Sequence, residues 1–216
     1  MTVAQPHSQA CKEQWIFGEP APSAKGFSVK VFRDAQAPLA PPKLQLCLDG
    51  EAPLKVASVL GGRVLLDINE NSELVRSLQD LDSFVLDVAY QKCQSWFNRS
   101  ISTQQLAAML NPVVAPEQRT LELPLSPDAC VWALSPDGTY VASEISAVTE
   151  GRCVWVCAEV ATLTFAHRHF GVTLAVSDVL LLPQSARPSF AFQSSVLLFQ
   201  PAPLQRGDSP DEPAEA

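Results

Sequence analysis

Apolar and polar residues alternate along much of this chain. Phe27, Val29 and Val31 alternate with Ser28 and Lys30, and Leu44, Leu46 and Leu48 alternate with Gln45 and Cys47. A period of two is the mark of a half-buried strand. Residues 35–42 lie between these two runs and carry three prolines, which predicts a loop. Residues 56–68 are again strand-like, broken at Gly61-Gly62 by a hairpin or bulge signal. Strands resume after residue 116, with Leu121 and Leu123 flanking Glu122 and an apolar run at 130–134. Ser135-Pro136-Asp137-Gly138 has the chemistry of a type I turn, which predicts a hairpin between 130–134 and 140–145. Residues 153–165 and 172–182 are longer β-rich runs, and 190–199 reads as a last strand.

The middle of the chain has a different period. Leu74, Leu78, Leu81, Val85 and Val88 recur at helical spacing, with Asp80, Asp82, Asp87, Gln91 and Gln94 toward the other side. This predicts a long helix, capped by Asn71 or Ser72, whose acids form a solvated face. Ser102 and Gln105 match a capping box for a second helix, which runs through Leu106, Met109 and Leu110 and stops at Asn111-Pro112. Eight or nine strands, two helices and no sustained βαβ alternation predict a mainly β (α+β) chain. The expected architecture is an antiparallel barrel or sandwich with a two-helix insertion at about 71–112. One domain is expected over 15–200. A flexible N-terminus (1–14) precedes it, and a Pro-rich, acidic tail (201–216), expected to be disordered, follows.

Composition narrows the function. The chain has 216 residues, 47% hydrophobic and 18% charged, which suits one folded domain. Its net charge of −8 has the wrong sign for coating nucleic acid by bulk charge. The charge is uneven. The tail holds Asp208, Asp211, Glu212 and Glu215 against Arg206, whereas Lys25, Lys30, Arg33, Lys43, Lys55 and Arg63 outnumber their acidic neighbours and allow a locally basic face. No apolar run reaches 18 residues, so no transmembrane helix is expected, and the polar N-terminus predicts no secretory signal. The wide spacing of the six cysteines does not resemble the disulfide scaffold of a short secreted domain. Cys153 and Cys157 fall on one face of a strand, where small buried hydrophobes are the expectation. An intracellular, reducing compartment fits this usage.

No phosphate-binding glycine loop, metalloprotease helix or nucleophile elbow occurs, so the expectation is a non-enzyme with no catalytic residue, metal or cofactor. A binding barrel remains. Holding a single nucleic-acid strand takes aromatic faces for bases and cations for phosphates. Two places interleave them: Trp96, Phe97 and Arg99 near the end of the long helix, and Phe165, His167, Arg168, His169 and Phe170 late in the chain. The aromatics also read as core residues that lock helix to barrel, and for Trp96 and Phe97 that reading is the favoured one. On residues alone, a nucleic-acid binder and a structural or protein-interaction barrel both stand.

The order of features adds to this. Phe17-Gly18-Glu19-Pro20 followed by residues 26–31, Gln36-Ala37-Pro38, the helix from Leu81 to Trp96-Phe97, the helix closing at Pro112, and Phe165 with Phe170-Gly171 appear in sequence. In this the chain resembles the single-stranded DNA-binding proteins of nucleocytoplasmic large DNA viruses, related to the T-seven-type phage replication protein. The resemblance implies an OB-fold-like antiparallel barrel that binds single-stranded DNA without sequence specificity in viral replication, recombination or repair. It implies a DNA surface drawn from Lys25, Lys30, Arg33, Lys55, Arg63, Trp96, Arg99, Phe165, His167, Arg168 and His169. It also implies that the tail acids Asp208, Asp211, Glu212 and Glu215 compete with DNA or dock replication proteins, with no membrane partner. Proteins of this class are often homodimers, working in the nucleus or a cytoplasmic viral factory of an infected cell.

Overall fold

The computed structural model describes residues 15–24, 26–33, 41–46, 52–115, 117–135 and 137–183. The expectations for 1–14, Lys25, the strand at 190–199 and the acidic tail lie outside the described residues, as do Cys11, Cys47 and the side chain of Arg33.

Five strands close into a barrel. They are β5 (Leu54–Leu60), β6 (Arg63–Asp67), β7 (Thr120–Leu134), β9 (Cys153–Ala166) and β10 (His169–Leu181). β5, β6 and β7 form an antiparallel meander, with Arg63 opposite Pro124 and Leu60 opposite Arg63. The meander turns on Gly61-Gly62, both at positive φ (58° and 76°), as a tight hairpin with right-handed strand twist requires. β9 and β10 form a long antiparallel hairpin. β10 pairs with β7, and β9 returns to β5 through Leu54 opposite Val154, which closes the barrel. This is a five-stranded OB-fold-like barrel. One ladder departs from the expected all-antiparallel pairing: β7 and β10 run parallel.

The length of β9 explains the rest of the sheet. One edge pairs with β10 throughout. The other is shared in turn by β5, by β4 (Lys43–Gln45) and by β3 (Gly26–Arg33). β3 also carries β1 (Trp15–Phe17) and β2 (Ala21–Ser23). The final strand, β8 (Tyr140–Ser143), pairs with β7 across the Ser135–Gly138 turn, where Gly138 N–H donates to Ser135 O at 2.9 Å. Ten strands thus form one sheet among the described residues. A register shift leaves Ala161 without an opposite residue in β10, which shifts the parity of β9. Val154, Val156, Ala158 and Val160 before the shift, and Leu163 after it, therefore all face the core.

Three helices sit between β6 and β7: α1 (Ser72–Gln91), α2 (Cys93–Phe97) and α3 (Thr103–Met109). α1 buries Leu74, Leu78, Leu81, Val85 and Ala89 along one stripe. Two local expectations change. Asn71 occupies the N-cap position but makes no capping bond; its Nδ2 donates to Ala52 O at 2.6 Å. Asp82, expected on the solvated face, is only 6% exposed because the segment after α3 folds over it. The helix breaks at Lys92 before α2, and Asn98 ends α2 in the left-handed conformation. The buried Cys93 thiol then stitches the bend, donating to Arg99 O at 3.0 Å and accepting the Ile101 N–H at 3.1 Å. The capping box at Ser102 and Gln105 forms as its residues predict.

Candidate nucleic-acid interface

The β3–β9–β10 sheet has two faces, because directly paired residues point to the same side. Phe27, Phe165 and Phe170 form one cross-strand row, and Val29, Leu163 and Val172 the next. This side meets the helices through a continuous chain of rings. Trp15 packs on Phe84 at 5.7 Å, and Phe17 touches both Phe84 (6.1 Å) and Trp96 (5.8 Å). Trp96 and Phe97 both set edges against Phe165, at 5.6 and 5.4 Å, and Phe165 stacks on Phe170 at 5.8 Å. Phe170 is fully buried and the other six rings are partly buried. In these rows Phe27, at the margin of the sheet, is well exposed (55%).

The opposite side is polar. Ser28, Thr164 and Gly171 form one row, and Lys30, Thr162 and Thr173 the next. Thr164 and Thr173 share a hydrogen bond between hydroxyls at 3.3 Å. Lys30 is exposed. With strands spaced about 4.8 Å apart, it stands roughly 10 Å across the sheet from Thr173.

Next to these rows the barrel wall parts. β10 and β7 pair only from Val176 and Leu125 onward. Upstream the two strands separate, and the gap is a cleft of about 330 Å³. Arg63, Glu122, Asn111, Thr164, Thr173 and His169 contribute its polar groups. Leu125 N–H donates to Gly62 O at 2.8 Å, so the alternation of an antiparallel ladder turns the Glu122 backbone away from β6, toward the cleft. Residues 111–113 form one wall. Asn111 N–H donates to Phe170 O at 2.7 Å, and a Cβ on Gly171 would stand 2.6 Å from Asn111 O, so glycine is what permits this approach.

The β9–β10 turn caps the cleft. His167 takes φ of 57°, and His167, Arg168 and His169 are all exposed. Gly26 starts β3 against this turn at φ of 147°, where any Cβ would collide with Phe165 O.

The cations differ in freedom. Arg63 Nη1 bonds Glu122 Oε1 at 2.6 Å, in an exposed pair. Lys43 Nζ lies 3.0 Å from Asp178 and 3.5 Å from Glu159. Burial pulls the Lys43 pKa down, but the hydrogen bond and charge of Asp178, with help from Glu159, more than offset this and raise it overall. Lys30, Arg99 and Arg168 have no carboxylate partner among the described residues. Cys157 shares the outer side with Lys43; burial, followed by the Asp178 charge, pushes its thiol up to about 11, so it stays protonated and unreactive. No group of histidine, cysteine and acidic side chains suited to a metal ion occurs among the described residues.

Of the residues singled out in the sequence, the cleft brings together Arg63 and His169, with His167 and Arg168 on the adjoining turn. Lys30 joins them through its cross-strand row. Trp96 and Phe165 meet each other on the opposite, helix-covered side. Lys55 is exposed on β5 opposite Asp67, and Arg99 follows α2. Asn111, Glu122, Thr164 and Thr173 carry no local sequence signal; only long-range pairing puts them in the cleft.

Residues 52–193 match the model of a family of unknown function, DUF5871, and the chain belongs to that family. The match spans all five barrel strands and the helices, while β1–β4 precede it. No curated protein matches the chain. Among solved structures, it is similar to a C-terminal truncation of the single-stranded DNA-binding protein from bacteriophage Enc34. That similarity has a TM-score of 0.39 at 10% identity, over 81% of this chain and 98% of that one. A second structure of the Enc34 protein gives 0.38 at 10% identity, over 77% and 89%.

Proposed function

We propose that this protein is a non-enzymatic binder of single-stranded DNA that lays the strand over the polar side of β3, β9 and β10 and into the cleft beside β7. The observation that carries this reading is the junction at the β9–β10 turn. There, exposed His167, Arg168 and His169 adjoin an open cleft lined by hydroxyls, an amide and a guanidinium. Single strands are bound by cations along a groove with hydrogen-bonding and apolar surface for bases, and the cleft volume falls in the range of ligand sites. The exposed imidazoles of His167 and His169 are the stacking candidates on this path, since Phe165 and Trp96 lie on the helix-covered side. Because Arg63 and Lys43 are already paired with acids, the affinity is modest and strongly salt-dependent. Work in viral replication, recombination or repair, a homodimeric state, and partner docking by Asp208, Asp211, Glu212 and Glu215 are proposed on the sequence resemblance.

The test is fluorescence anisotropy of a labelled oligo-dT at low and moderate salt, with the full chain and with a form ending at Gln200. Binding should weaken linearly in log affinity against log salt, and the shortened form should bind more tightly. No binding by either form at low salt would sink the proposal. The second reading, a protein-interaction barrel, would then stand on the exposed Tyr140, Val141 and Ile145 around β8.

A further inference from the structure

One buried ionisable group stands behind the cleft wall. Asp82 lies midway along α1, among Leu78, Leu81 and Val85, and is 6% exposed. Both its carboxylate oxygens accept the Val113 N–H, at 3.0 and 3.2 Å. Val113 ends the short wall of the cleft that begins at Asn111. That wall is therefore held from two directions: Phe170 O accepts from its first residue, and Asp82 accepts from its last.

No cation among the described residues offsets the buried charge. Burial raises the Asp82 pKa to about 6, opposed only by the Val113 N–H. On α1 itself, Asp80, Asp87 and Arg76 are exposed. Of the elements packed on α1, α3 has no ionisable side chain and α2 offers Cys93. β10 offers His169, which lines the cleft, and Asp178, which is engaged with Lys43. An asparagine at this position could accept the same bond without burying a charge. What the carboxylate adds is strength, since a charge-assisted bond is roughly twice as strong as a neutral one.

We propose that Asp82 is a positioning residue for the cleft: its carboxylate holds the wall at residues 111–113 in place, and neutralising it loosens that wall while leaving the barrel intact. The local and the global effects then have opposite signs. The folded-state pKa lies above the ordinary value of 3.8, so the stability that Asp82 contributes is full below that value and is lost as pH rises through about 6. Acid therefore strengthens the fold at this group while it weakens the hold on Val113.

The experiment compares wild type with Asp82→Asn in the full chain. Amide exchange at Val113 and Asn111 is followed without DNA from pH 7.5 to 5, expressed relative to intrinsic rates, alongside Tm. Affinity for oligo-dT is measured at the same pH values. At pH 7.5, Asp82→Asn should melt no lower than wild type, protect Val113 about fivefold or more less well, and bind oligo-dT several-fold more weakly. Wild type should lose the same protection as pH falls through about 6, and the variant should show no such step. Equal Val113 protection in the two proteins overturns the proposal, as does a clear drop in Tm for the variant. So does equal DNA affinity despite a loosened wall. The affinity readout rests on the DNA-binding reading. If wild type binds no DNA, that reading fails by itself, and the exchange profile still decides the role of Asp82.

Discussion

The two sides of the β3–β9–β10 sheet are built from alternate residues of the same strands and do opposite work. One side carries Phe165, Phe170, Val29 and Leu163 and is covered by helices through interlocking rings. The other carries Ser28, Lys30, Thr162, Thr164 and Thr173 and leads into a cleft. The aromatics that a nucleic-acid binder would use for stacking are thus concentrated where they also hold the fold together, while the cations and hydroxyls lie on the open side. A composition count merges the two sides, and pairing register separates them. Stability should therefore be lost mainly by changes on the covered side, and DNA affinity mainly by changes on the open side.

The largest expected effect tests the covered side. Phe170 is 1% exposed and bridges barrel and helices through Phe165 and Phe97. Phe170→Ala should lower unfolding free energy by about 3–5 kcal/mol, by lost burial and the cavity left behind. Urea denaturation of the variant measures this. A loss under about 1 kcal/mol would mean that the rings pack loosely, and the distinction between the two sides would collapse.

The next effect belongs to the open side. Arg168→Ala combined with His169→Ala removes two exposed side chains from the β9–β10 turn. Stability should change by no more than about 0.5 kcal/mol. Affinity for oligo-dT should fall roughly three- to tenfold at low salt, with the salt slope reduced by about 1 for each phosphate contact removed. Unchanged affinity and slope would move the DNA path away from this turn.

How much of this was legible in the residues depended on range. The Ser135–Gly138 turn, the Ser102–Gln105 capping box and the Gly61-Gly62 hairpin are local chemistry, and each forms as expected. The barrel closure is not local: it depends on Leu54 meeting Val154, and the parallel β7–β10 ladder on Val176 meeting Leu125. Nothing near those residues encodes their partners. The offset at Ala161 is equally silent, though it decides which side of β9 faces the core. Asp82 departs from its expected solvated face for a related reason. Helical periodicity places a residue relative to its own helix and cannot register the segment after α3 that closes over it. For the candidate site, Arg63 and His169 stood out as charged or polar residues beside turn signals. Their meeting in one cleft, more than a hundred residues apart in the chain, is a product of the closure.

The smallest effect sharpens the open side further. Glu122 is the acid of the cleft, and its carboxylate takes up the guanidinium of Arg63 at 2.6 Å. Both side chains are about half exposed, and such a pair contributes only about 0–1 kcal/mol to stability. Its importance is electrostatic: a phosphate approaching Arg63 must displace a carboxylate that already neutralises it. Glu122→Gln keeps the shape of the side chain and removes the competitor. Tm should barely move, and affinity for oligo-dT should rise by about two- to fivefold at low salt, with the gain shrinking as salt screens the new contact. Adding Arg63→Ala to Glu122→Gln should cancel the gain, which ties it to the freed guanidinium and separates it from the general change in net charge. A gain that survives Arg63→Ala would be a bulk charge effect. No gain at all would mean that phosphates never reach the Arg63 end of the cleft, leaving the strand confined to the β9–β10 turn and the Lys30 row.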